Sequence, residues 1–73
     1  MTKALHADEY GRFKNRLKEA RIKADLTQMQ VAEKLGLPQS YVSKIESGER
    51  RVDAVELERL AKIYGKSVNY FLK

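Results

Sequence analysis

The chain has 73 residues, no cysteine, and 15 basic against 10 acidic side chains, a net charge of +5. That length holds one small domain with a thin core, and the absence of cysteine excludes disulfides, thiolate catalysis and cysteine-based zinc sites. No apolar run approaches the ~18 residues of a membrane span and the N-terminus lacks a signal-peptide pattern, so a cytoplasmic protein without a membrane partner is expected.

Residues 1–8 show no firm period and read as a flexible N-terminal arm; one domain is expected over residues 9–72. The first helix is predicted from about Glu9 to Lys23, with Phe13, Leu17, Ala20 and Ala24 at helical spacing. Residues 9–23 carry six bases against two acids, a local +4. Thr27, with Gln30 three residues later, forms the capping-box pattern "TQMQ" and opens a second helix to about Leu35, apolar at Val31, Ala32 and Leu35. Gly36 suits a left-handed C-cap, and Pro38 suits the start of the third helix, about Gln39 to Ser47, whose apolar pair is Val42 and Ile45. Gly48 stops that helix. Asp53 and Glu56 repeat the capping signature before a fourth helix holding Leu57, Leu60, Ala61 and Tyr64, and Gly65 ends it. Residues 53–60 carry three acids and one base, a local −2. Ser67 caps a last helix with Val68, Phe71 and Leu72 on its apolar side. The fold class is therefore all-α, five short helices with no convincing strand.

Helices two and three are joined by "GLP", too short for a relaxed hairpin between bulky faces, and this favours the steep crossing of a helix-turn-helix. Small Ala32 allows close approach, Leu37 plugs the turn, and Val42 and Ile45 anchor helix three. Its other face carries Gln39, Ser40, Ser43 and Lys44, with Tyr41 on the flank and no acid among them. A merely solvated face mixes Glu with Lys. An acid-free face rich in donors suits DNA, since Gln engages adenine, Lys reaches guanine and Ser serves either base edge. Thr27 and Gln28, at the start of helix two, and Tyr41, on the flank of helix three, are expected to contact the DNA backbone, and Gln28 also to brace Gln39. Arg50 and Arg51 follow helix three and either grip the backbone across the groove or dip toward a narrow minor groove.

These residues, "LTQMQVAEKLGLPQSYVSKIESGERR" (Leu26 to Arg51) and "LERLAKIYGKSVNYFL" (Leu57 to Leu72), closely resemble the Cro/C1-type helix-turn-helix family, also called the XRE family of bacterial and phage regulators. The resemblance spans about residues 9–72 and implies a lambda-repressor-like five-helix domain with a recognition helix at about 39–47. It implies binding to double-stranded DNA, usually by homodimers on palindromic operators and usually in repression. It places Gln39, Ser40 and Lys44 at base-facing positions with Ser43 near them, Gln28 on a phosphate, and Arg50 and Arg51 in a loop that commonly touches phosphate. It also implies a partly buried ion pair between Arg21 and Glu46, two residues that from the sequence alone read equally as solvated charges. Two positions depart from the family pattern. Pro38 replaces a capping Ser or Thr, losing its hydroxyl contact, and Lys66 stands where an apolar residue is common.

One reader helix covers too few base pairs to select a genomic site, so two-fold pairing is expected. Tyr64, Val68, Tyr70, Phe71 and Leu72 supply material for the dimer interface, unless they complete the core instead. The chain ends at Lys73, so any response to a signal is expected through protein level, DNA binding or a separate partner. An enzyme is not expected, because His6 is the only histidine, no carboxylate pair has a pocket, and no metal-ligand spacing exists. No cofactor is expected. The remaining alternatives are an antitoxin that also neutralises a toxin protein, a controller regulator of a restriction–modification operon, and a helical protein-interaction module without a DNA role.

Overall fold

The computed structural model describes residues 7–73, and every regular element among them is helical. Of the arm expected over residues 1–8, positions 1–6 lie outside the described residues. Ala7 and Asp8 belong to α1 (Ala7–Lys23), which therefore starts before the expected Glu9. Asp8 and Glu9 fall in its first turn, where carboxylates favour the positive end of the helix dipole. Phe13, Leu17 and Ala20 form its buried stripe. Its C-terminus closes without glycine: Asp25 takes a left-handed conformation, φ +62°, while the Leu26 amide donates to the Arg21 carbonyl at 3.2 Å. This is a Schellman closure with an aspartate where glycine is usual.

α2 (Gln28–Leu35) opens on a complete capping box. The Gln30 amide donates to Thr27 Oγ1 and the Thr27 amide donates to Gln30 Oε1, at 3.1 and 2.8 Å. At its other end Gly36 sits at φ +73° and the Leu37 amide donates to the Ala32 carbonyl. That turn folds Leu37 against the core, as expected of a plug. Pro38 is the N-cap of α3 (Gln39–Ser47) and contributes no side-chain cap. Gly48 ends α3 at φ +88°, a backbone conformation that favours glycine, and a Cβ there would stand 3.3 Å from the flexible end of the Lys14 side chain.

α4 (Ala54–Tyr64) starts where the Glu56 amide donates to Asp53 at 2.8 Å. The Glu56 carboxylate does not complete a capping box; it accepts from Arg59 one turn on. Arg59 in turn donates to the Leu35 carbonyl and so ties α4 to the end of α2. α5 (Val68–Leu72) is capped by Ser67, and its last turn is held by Arg16, which donates to the Tyr70 carbonyl at 2.9 Å.

The core runs through all five helices, with Leu17, Val31, Val42, Ile45, Leu60 and Phe71 fully buried. Each such side chain contributes roughly 1.5–3 kcal/mol on burial. Two expectations fail here. Tyr64 and Phe71, expected in a dimer interface, are buried inside the domain, because a core this small needs every large ring it has. Tyr41, expected on the flank of the outward face, is also buried, since its position four residues before Ile45 places it on the anchoring stripe. No helix among the described residues is long and apolar enough to cross a membrane.

Candidate nucleic-acid interface

The α2–α3 pair is the most extensively packed pair of elements. With Val42 and Ile45 sealed beneath it, α3 turns Gln39, Ser40, Ser43 and Lys44 outward, all four exposed. No acid lies in its first turn. With no side-chain cap from Pro38, the first two amides of α3, Gln39 and Ser40, remain open to an anion, whereas the capping box at the start of α2 already takes the Gln30 amide. Thr27 spends its Oγ1 lone pair on the Gln30 amide, which leaves its hydroxyl hydrogen for an outside acceptor.

The orientation of α3 is fixed from behind by three polar side chains. Arg21 Nε and Nη2 donate to the two oxygens of Glu46 at 2.7 and 3.1 Å, and Arg21 Nη1 donates to the Leu26 carbonyl at 3.0 Å. The ion pair implied by the resemblance is therefore formed and largely buried, with side-chain exposures of 13% and 4%. The hydrogen bond to Glu46 holds the Arg21 guanidinium charged, above its ordinary value. Gln28 joins the same carboxylate, its Nε2 donating to Glu46 Oε1 at 3.0 Å. It therefore braces the end of α3 through Glu46, and no bond to Gln39 forms. One amide N–H of Gln28 stays available for phosphate.

The two arginines after α3 part company. Arg50 donates its backbone amide to the Lys44 carbonyl and lays its guanidinium 5.1 Å from the Tyr41 ring centroid. Arg51 turns the other way, 4.4 Å over the Tyr10 ring on α1. Tyr41 thus lies under Arg50, and burial, with Glu56 adding, pushes its phenol pKa up and keeps it neutral. Lys14 was not singled out in the sequence. Its Nζ donates to the Ser47 carbonyl at 3.3 Å, placing a cation at the negative end of α3. Only the basic run of α1 hinted at such a role, and a run alone does not say which lysine reaches which helix end.

A family profile described as "Helix-turn-helix" matches residues 17–71. A solved structure described as an XRE-family like protein from Pseudomonas syringae pv. tomato str. DC3000 superposes with a TM-score of 0.88 at 39% identity, covering 97% of this chain and 87% of that one. The chain belongs to the Cro/C1-type (XRE) helix-turn-helix family. As in other members of that family, α2 and α3 form its DNA-binding helix-turn-helix. Among its XRE relatives, the HTH-type transcriptional regulator ImmR of Bacillus subtilis (strain 168) is 42% identical over 57 residues, 78% of this chain. The chain spans only 45% of the length of that regulator. The control protein C.MunI of a Mycoplasma species is 43% identical over 51 residues, covering 68% of this chain and 69% of the relative. XRE membership leaves the reading as an interaction module without a DNA role unsupported.

Proposed function

We propose that the chain is a repressor that binds a palindromic operator as a homodimer, each copy laying α3 in one major-groove half-site. The observation that carries this is the acid-free, exposed row Gln39, Ser40, Ser43 and Lys44 on a helix locked from behind by the Arg21–Glu46–Gln28 network. In this reading the row meets base edges. Thr27, Gln28 and Arg50 hold phosphates on either side, Arg50 steadied by the Tyr41 ring beneath it. Tyr41 supports that contact and does not make it.

The test is selection of bound sequences from a random duplex library, followed by affinity measurements on the selected site. Paired inverted half-sites are expected. Gln39→Ala and Lys44→Ala are expected to lower specific affinity by about 1–3 kcal/mol and to leave random-duplex binding little changed. Equal losses on both duplexes remove these residues from the reading face. A second reading has an observation of its own. The similarity to a protein named as a control protein extends over 69% of that protein's length, which supports a controller regulator that times its own operon. Transcription from the chain's own promoter, rising at low protein and falling at high protein, is its distinguishing result.

A further inference from the structure

A cleft of about 480 Å³ opens between the start of α1, the residues after α3, and α5. Phe13, Leu57 and Phe71, all buried members of the core, form its floor, and Leu72 stands at its lip, 62% exposed. Its rim carries the guanidiniums of Arg12 and Arg51, with Glu9 as the one acidic side chain. Both arginines are exposed, and among the described residues neither forms an ion pair. Arg51 is held at the wall by a ring instead of an acid, 4.4 Å over Tyr10. Small-molecule sites have this make-up: a concave apolar lining of about 300–1,000 Å³ with a few polar groups at its edge.

We infer that this cleft binds an amphipathic monoanion, a carboxylate joined to an apolar tail, with the carboxylate on Arg51 and the tail over Phe13, Leu57 and Phe71. Floor and rim together select this class. A tail laid on the floor leaves water and covers the exposed side of Leu72. A carboxylate accepts two parallel N–H bonds from a guanidinium, which a neutral head group cannot match. The surrounding field has the right sign, because residues 9–23 carry a local +4. A nucleic-acid strand would use the rim alone and leave the floor in water, and a neutral apolar compound would use the floor alone. The site is separate from the outward row of α3 and does not depend on how that row reads DNA. It gives Arg51 a task of its own, while Arg50 stays beside Tyr41.

Amide NMR of the isotope-labelled full chain, titrated with decanoate below its micelle concentration, tests this. Saturable shifts are expected at Arg51, Leu57 and Phe71. Decanol, with the same tail and no charge, is expected to bind several-fold more weakly, and butyrate, with the charge and almost no tail, to leave those signals in place at the same concentrations. Arg51 and Leu72 are exposed, so substitutions there leave the core intact, and circular dichroism confirms that each variant folds. Arg51→Gln is expected to bring decanoate down towards the affinity of decanol, whereas Leu72→Asn weakens both alike. Decanoate and decanol binding equally, with Arg51→Gln without effect, overturns the anion site. Shifts that spread over the whole surface without saturating show adventitious detergent binding only and overturn the cleft. Movement of the same signals with protein concentration, in the absence of any ligand, assigns the cleft to a second copy and overturns the proposal. Nuclear Overhauser contacts from residues 1–6 to Phe71 in the free chain overturn it as well, because the chain's own start then fills the floor.

Discussion

Tyr64 carries its hydroxyl into the core without a hydrogen-bond partner among the described residues, as does Tyr10 on α1. A buried hydroxyl without a partner costs about 1–3 kcal/mol, which the packing of the Tyr64 ring, 6.3 Å from Phe71, has to offset. Tyr64→Phe keeps the ring and removes the cost, so urea unfolding is expected to show a gain of about 1 kcal/mol; an equal loss would mean the hydroxyl has a partner in solution. Burial also pushes the Tyr64 phenol well above its ordinary pKa, with the Glu46 carboxylate adding to the shift and Arg21 opposing it. The neutral phenol belongs to the folded state, while the unfolded chain ionises from about pH 10. The group's contribution is therefore intact below about pH 10 and is lost as pH rises further. Tyr64→Phe should make the alkaline decline of stability shallower, and superimposable pH profiles would refute that. Asp25 is strained differently: it sits at positive φ, with a carboxylate at the negative end of α1. Asp25→Gly relieves both and is expected to add about 0.5–1 kcal/mol, read as a higher thermal midpoint. An unchanged midpoint would show that the local backbone of Asp25 is not under load.

Three helices meet at Glu46, which takes Arg21 from α1 and Gln28 from α2 while standing on α3. Removing one ion leaves the other buried and unpaired, so Arg21→Met is expected to cost about 3–5 kcal/mol. The double variant Arg21→Met, Glu46→Leu should cost clearly less than the sum of the two single changes, and the coupling in a double-mutant cycle by chemical denaturation is the measure. Additive losses would make the pair two independent surface charges. Much at this scale was legible in the sequence. Thr27, Gly36, Asp53, Gly65 and Ser67 mark helix ends through their own side chains or their lack of one, and the ends fall where those residues stand. What was not legible depended on long-range contact. Asp25 gives no local signal of a left-handed closure. Lys14 reaches the end of α3 across 33 positions of chain. Tyr41 was misplaced because a tyrosine fits either a groove wall or a core, and only the packed bundle, with Arg50 above the ring, decides between them.

For the whole molecule, the uneven charge of the sequence becomes a division of surfaces. The outward face of α3 and Arg50 form one, and the cleft rim with Arg12 and Arg51 forms another. Arg50 and Arg51, adjacent in sequence, leave the loop in different directions, each held over a different tyrosine. The separation has a measurable consequence in salt. A side chain that neutralises a phosphate releases counterions, and its loss lowers the slope of log affinity against log salt by about 1 per contact. Titrations of the selected operator over a salt series should therefore show a slope reduced by about 1 in each half-site for Arg50→Ala, and a wild-type slope would remove Arg50 from the phosphate contacts.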